Sequence, residues 1–235
     1  MSPDQDPTGA SPDSTEGGAF YGRRKGKTLR PGQERLVATV LPRLRVDPAD
    51  PLAGIEAYET LHLEIGFGGG EHLAAAARAN PDTGFIGCEP YLNGMAKLLA
   101  VVEAEDLANV RVWDDDVTKL LPRLPDAAFD RVVILYPDPW PKRRQRKRRL
   151  VSDDTLAALA RILKPGGTLR FASDIDDYIG WVLVRALRSD DFRWTAQGPD
   201  DWRRPWDGWP GTRYEAKALR EGRVPSYLTF ERVAG

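Results

Sequence analysis

From about residue 55 onward, short apolar runs alternate with segments of helical spacing. Leu61-His62-Leu63-Glu64-Ile65 has the pattern of a strand, and an Ala-rich stretch over 71–79 predicts a helix after a glycine-rich turn. Residues 84–88 predict a second strand, 91–104 a second helix and 110–113 a third strand. The run Arg131-Val132-Val133-Ile134-Leu135-Tyr136 is continuously apolar after its first residue, as a central strand buried on both faces requires. A helix over 152–163 follows, with Ser152 as N-cap and Lys164-Pro165-Gly166-Gly167 as its stop. Residues 168–172 predict a fifth strand and 178–188 a further helix. The segment 198–213 reads as loop, with Trp202, Trp206 and Trp209 set among Pro, Gly and Arg, and 227–231 alternate as a closing strand. The chain shows no internal repeat. Strands and helices in alternation predict the α/β class, a doubly wound and mostly parallel sheet with helices on both faces.

Composition narrows the chemistry. At 235 residues the chain suits one such domain. The single Cys88 excludes a disulfide framework and a thiolate zinc site. Two histidines, His62 and His72, leave little room for a His-rich metal centre or a Ser-His-Asp triad, so no metal is expected. No apolar run approaches the roughly 18 residues of a membrane span, and the N-terminus lacks the basic-then-apolar pattern of a signal peptide. A cytoplasmic protein with no membrane partner is expected.

The net charge of -1 conceals segregation. Residues 1–19 hold Asp4, Asp6, Asp13 and Glu16 but no Lys or Arg, and predict a disordered acidic tail. Residues 20–54 read as a basic arm and lead-in helix, the arm carrying Arg23, Arg24, Lys25, Lys27 and Arg30. The domain proper occupies 55–235. Within it, seven of the eight residues 142–149 are cationic. Such a block repels itself unless an anion is near, and local charge density rather than the total governs attraction to a polyanion.

Ligands of doubly wound folds bind beyond the carboxyl ends of the strands. There stands the turn Glu64-Ile65-Gly66-Phe67-Gly68-Gly69-Gly70, whose glycines permit positive φ and close approach of a ligand. The dinucleotide fingerprint fails because Glu71 takes its third glycine position. The segment 22–28 is one residue short of a phosphate-binding loop and follows no strand. Acids occupy the strand ends instead: Glu64, then Glu89, then Asp114-Asp115-Asp116. Glu89 suits a pair of ribose hydroxyls, Glu64 an ammonium and Asp115 an adenine amino group. S-adenosylmethionine, which has a ribose, an amine, an adenine and a sulfonium but no phosphate, fits this set better than NAD or ATP.

Glu64-Ile65-Gly66-Phe67-Gly68-Gly69-Gly70 resembles the first motif of the class I S-adenosylmethionine-dependent methyltransferases. Further strings narrow the resemblance: Phe20-Tyr21-Gly22-Arg23-Arg24, Gly87-Cys88-Glu89-Pro90, Pro137-Asp138-Pro139-Trp140-Pro141-Lys142, Lys147-Arg148-Arg149-Leu150, Ala172-Ser173-Asp174 and Thr212-Arg213-Tyr214-Glu215. Together they are similar to the bacterial tRNA (guanine-N7)-methyltransferases, which modify the variable-loop guanosine, conventionally position 46. The resemblance implies a seven-stranded, Rossmann-like sheet, S-adenosylmethionine as cofactor and tRNA as partner. It puts Glu64, Gly66, Gly68, Glu89, Asp115 and Asp138 at the methyl donor, with Asp138 also the catalytic acid. Lys142, Asp174, Thr212, Arg213, Tyr214 and Glu215 take the substrate positions. Asp114, Asp115 and Asp116 leave the adenine-side acid ambiguous by one residue.

The residues around Asp138 agree with that chemistry. Prolines on both sides stiffen the strand end, Trp140 offers a face for a base to stack on, and the seven-cation block suits a phosphate-rich substrate. A carboxylate can also grip guanine through N1–H and its exocyclic amine; Asp138, Asp174 and Glu215 are the candidates. The aromatic residues Trp194 to Trp209 either stack on unpaired bases or cap a core. Two other readings stand beside this one: an enzyme of the same fold acting on an exocyclic amine, and a non-catalytic RNA-binding protein.

Overall fold

Val132, Val133, Ile134 and Leu135 are all buried, and the sheet is built outward from the strand that carries them. The computed structural model describes residue 24 and residues 26–233. The acidic tail, Phe20 to Arg23 and Lys25 lie outside the described residues.

Two short helices lead in, α1 (Pro31–Thr39) and α2 (Leu41–Leu44). Then β1 (Thr60–Ile65), α3 (Glu71–Ala79), β2 (Thr83–Cys88), α4 (Leu92–Glu105), β3 (Val110–Trp113) and α5 (Val117–Leu120) follow in the expected alternation. The second half contains β4 (Phe129–Leu135), a 3-10 turn over Arg143–Arg148, α6 (Asp153–Ile162), β5 (Leu163–Ser173) and α7 (Asp176–Ala186). It closes with β6 (Phe192–Trp194), α8 (Asp200–Arg203), α9 (Arg213–Arg220) and β7 (Ser226–Arg232). Strand order is β3-β2-β1-β4-β5-β7-β6. Strands β1 to β5 pair in parallel, while β7 runs antiparallel to both β5 and β6. The order reverses between β1 and β4, which places the topological switch point, and hence the ligand crevice, beyond Ile65 and Leu135.

Helices cover both faces. Leu36 of α1, Leu73 of α3 and Leu98 of α4 pack with Phe85, Val110 and Val112 on one side. Leu156 and Leu159 of α6 and Tyr178 and Val182 of α7 pack with Ile134, Leu169 and Phe171 on the other. Ser152 caps α6 as expected, its hydroxyl accepting from the Thr155 amide at 3.1 Å.

Three elements differ from the sequence reading. Lys164-Pro165-Gly166-Gly167 does end α6, but it lies inside β5, which pairs Leu163 with Phe129, bulges, and resumes at Thr168 opposite Arg131. Gly166 takes φ +79 within that bulge. The three-residue edge strand β6 is too short to show a period. The segment expected as loop holds α8 and leads into α9, and its tryptophans cap the core. Trp202 and Trp194 pack against the larger cluster, while Trp206 and Trp209 pack over Val133, Leu135, Ala172 and Tyr227.

Candidate active site

A cavity of about 740 Å³ opens at the carboxyl ends of β1, β2, β3 and β4, within the size range of small-molecule sites. Gly66, Gly68, Glu89, Asp115, Asp138 and Tyr214 are among its walls.

The glycine turn forms one side. Gly66 and Gly68 adopt φ +76 and +58, and a Cβ on Gly66 would meet nothing within 4 Å, so the backbone there borders open space. Gly68 is held by the next strand. Its N–H donates to Glu89 Oε2 at 2.7 Å, and the Tyr91 N–H donates to Glu89 Oε1 at 2.9 Å. One lone pair on each carboxylate oxygen is thereby used, and the others remain for hydroxyl donors. Burial raises the Glu89 carboxyl above its ordinary value, against the opposing pull of those two amides.

Glu64 is buried at the end of β1, and His72 Nδ1 of α3 donates to its Oε2 at 2.6 Å. On its other side the His72 ring lies 5.2 Å from that of Trp209. This His72 contact is not legible in sequence, because nothing in an Ala-rich helix signals which residue turns back to the strand.

The three consecutive aspartates have different partners, and both Asp115 and Asp116 line the cavity. Asp114 pairs with Arg45 through two hydrogen bonds of 2.9 and 2.7 Å, and Asp116 caps α5 by accepting from the Thr118 amide at 2.9 Å. Asp115 faces the cavity and accepts from Lys119 at 2.7 Å, from the Asp116 amide at 2.8 Å and from Arg24. Partial burial opposes its ionisation, but those three donors hold its carboxyl below the usual range. The described part of the basic arm thus reaches the site. Gly26 N–H donates to Asn93 Oδ1 at 2.9 Å, and Asn93 returns a bond to the Lys27 carbonyl at 2.7 Å.

Asp138, just beyond β4, also lines the cavity, exposed and without a hydrogen bond to any described residue. Its flanks are unusual: Tyr136 and Trp140 take φ +49 and +43, which bulky side chains rarely adopt. Arg148 lies over the Trp140 ring at 5.0 Å.

The substrate-side residues divide into two groups. Arg213 and Tyr214 line the cavity directly above the glycine turn, since a Cβ on Gly68 would lie 3.1 Å from Arg213 Nη2 and 3.4 Å from Tyr214. Thr212 and Glu215 instead form the capping box of α9. Glu215 N–H donates to Thr212 Oγ1 at 3.1 Å, and Thr212 N–H donates to Glu215 Oε2 at 3.3 Å. Glu215 is buried and also accepts from Trp209 Nε1 at 2.7 Å and from the Tyr227 hydroxyl. The Asp174 carboxylate is paired with Arg223. Lys142 is exposed.

Among the described residues, no helix is long and apolar enough to cross a membrane, and no cluster of three His, Cys, Asp or Glu side chains is arranged to hold a metal ion.

This sheet and crevice define a class I, Rossmann-like methyltransferase fold. A crystal structure of a 30S ribosomal A1408 methyltransferase from an uncultured bacterium shares the fold at a TM-score of 0.54 with 16% identity, covering 80% of this chain and 95% of that one. An S-adenosylmethionine-dependent O-methyltransferase from Thermotoga maritima does so at 0.51 with 13% identity, covering 89% and 68%. Residues 58–226 match the "Putative methyltransferase" family. The tRNA (guanine-N(7)-)-methyltransferase of Chelativorans sp. (strain BNC1) is 54% identical over 226 residues, covering 94% of this chain and 97% of that one. The protein of the same name from Agrobacterium fabrum is 54% identical over 220 residues, with 91% and 95% covered. The chain belongs to the tRNA (guanine-N(7)-)-methyltransferase family.

Proposed function

We propose that this protein methylates N7 of the variable-loop guanosine of tRNA, conventionally position 46, using S-adenosylmethionine in the cytoplasm. The observation that carries the reading is one cavity lined by two unlike acids. Glu89, beside the open glycine turn, is fixed by two backbone amides, whereas Asp138 has no hydrogen bond to a described residue.

The residues fit the cofactor. Glu89 keeps acceptor capacity for two ribose hydroxyls, Asp115 faces the cavity beside them, and the bare backbone at Gly66 leaves room for a ligand. Glu64, buried and bonded to His72, does not itself line the cavity but immediately precedes Ile65 and Gly66, which do, and is the acid this reading gives to the amino group. When bound, S-adenosylmethionine supplies an electrophilic methyl group on a positively charged sulfur.

Guanine N7 carries an in-plane lone pair and no proton, so the chain needs no general base. What remains for the protein is positioning, and stabilisation of the positive charge that grows on the purine. Asp138 supplies a carboxylate at that place. Trp140, Arg213 and Tyr214 offer flat surfaces against which a base can stack, all on the cavity wall. Lys147 lines the same cavity, and Lys142, Arg143 and Arg144, exposed on the same segment, suit tRNA phosphates.

Incubation with S-adenosylmethionine and unmodified tRNA, followed by nucleoside identification, tests the reading. It predicts 7-methylguanosine, absent when the variable-loop guanosine is replaced. N6-methyladenosine, or no methylated nucleoside, would overturn it.

A further inference from the structure

The seven cations of residues 142–149 are not equivalent. Lys142, Arg143, Arg144 and Lys147 are exposed, whereas the Arg149 side chain has 0% solvent exposure. Arg149 is among the residues around the cavity, but a guanidinium with no exposed surface is not available to a phosphate. Its N–H groups are spent inside the protein: Nε donates to the Pro139 carbonyl at 2.8 Å, Nη1 to the Asp177 carbonyl at 3.3 Å, and Nη2 to the Asp177 carboxylate. Its flat faces are used as well, with the rings of Tyr178 and Trp181 at 4.8 and 5.0 Å. Neighbouring bonds pin the same stretch to α7, since Trp181 Nε1 donates to the Val151 carbonyl at 2.7 Å and the Val151 N–H donates to the Tyr178 hydroxyl at 3.3 Å.

Pro139 is the residue between Asp138 and Trp140. The segment around it contains the two left-handed residues Tyr136 and Trp140, a backbone that persists only where its surroundings hold it. Arg149 fastens the carbonyl in the middle of that segment to the N-terminal turn of α7, while Arg148 lies over one face of the Trp140 ring. We infer that Arg149 is a positioning residue for methyl transfer. Anchored by Asp177, it fixes the Pro139 carbonyl and so aims the Asp138 carboxylate into the cavity, and it takes no part in binding RNA. The inference rests on the reading of Asp138 as the acid beside the reacting base.

The test compares the full-length Arg149→Met, Arg149→Lys and Asp177→Asn variants. For each, the single-turnover methyl-transfer rate at saturating tRNA, the tRNA Kd and its salt dependence, and the melting temperature are measured. Arg149→Met is expected to lose about ten- to a hundredfold in rate, the scale of a small misplacement of a reacting group. Its tRNA Kd and salt slope should be unchanged. Arg149→Lys should recover part of the rate, because an ammonium can still donate to Pro139 but cannot also hold Asp177 and both rings. If Arg149→Met fails to fold, Asp177→Asn, which keeps the guanidinium and weakens its anchor, should show a smaller loss of the same kind. A weakened tRNA Kd with a shallower salt slope would return Arg149 to the phosphate-binding block and overturn the inference. Folded variants at wild-type rate would overturn it too. Asp138→Ala separates the two levels. If that variant is inactive while Arg149→Met is normal, only the positioning role falls; if Asp138→Ala is itself fully active, the functional reading falls with it.

Discussion

The backbone N–H of Gly68 donates to the carboxylate of Glu89 at 2.7 Å, joining the turn after β1 to the end of β2 across the floor of the cavity. One side chain therefore shapes the glycine turn and lines the cavity. Both Glu89 oxygens accept from backbone amides, so Glu89→Gln would set an amide NH2 against an N–H donor. Leaving such a buried group unsatisfied costs about 1–3 kcal/mol, which taken from ligand binding is a loss of about five- to 150-fold in S-adenosylmethionine affinity by titration calorimetry. The pH dependence has a definite sign. Burial raises the Glu89 carboxyl, so on acidification the ionised form is lost at a higher pH than for an ordinary glutamate. Wild-type cofactor affinity should weaken as pH falls through that range, and the Gln variant should lack this component.

The same turn is packed from behind by α4. A Cβ on Gly94 would sit 2.0 Å from the Gly68 carbonyl oxygen, a backbone atom that cannot swing away. Gly94→Ala should destabilise the protein by about 1–3 kcal/mol and weaken cofactor binding. Gly32→Ala is the control, since its Cβ would meet nothing within 4 Å. Thermal denaturation and cofactor titration of both variants check the contrast.

Exposed and buried cations should separate in salt titrations. Replacing Arg143 and Arg144 by Gln should raise the tRNA Kd and reduce the slope of log K against log salt by about 0.9 for each phosphate no longer neutralised. Filter binding over a range of salt concentrations measures this, and an unchanged slope would make these residues an ordinary solvated face.

His62 gives a pH prediction far from the chemistry. Burial foremost, then Arg131, lowers its pKa from 6.5 to about 4, and its ring meets Phe85 edge-on at 5.2 Å. The folded state thus favours the neutral form, and its contribution is present in full above the unfolded value. It is lost as pH falls from about 6.5 towards 4, an amplitude of about 3 kcal/mol. Denaturant unfolding of wild type and His62→Phe between those pH values should show the slope shrinking in the variant.

Much of this architecture is legible in the chain because the physics is local. The run after Arg131 needs no partner to reveal a buried central strand, and glycines followed by Glu71 exclude a dinucleotide turn by residue type alone. Helix α9 escapes the sequence reading for a more interesting reason. Thr212-Arg213-Tyr214-Glu215 has the Ser/Thr-x-x-Glu form of a capping box, yet the family resemblance draws all four residues to the substrate. The fold divides them, with Thr212 and Glu215 closing the helix and Arg213 and Tyr214 facing the cavity. Neither Glu64's partner His72 nor the burial of Arg149 has any local signal. Both depend on which elements meet in space, and a run of like charges reads the same whether its last member faces water or the interior.

The proposed reaction turns on Asp138, which acts on the reacting base from the cavity wall. Single-turnover methyl transfer by Asp138→Ala, with tRNA affinity measured on the same preparation, tests it most directly. A rate loss of about a hundred- to a thousandfold is expected, the scale of removing one electrostatic stabiliser from a transition state, with tRNA binding retained. A rate near wild type would contradict it, leaving Asp138 as a structural residue at the end of a strand.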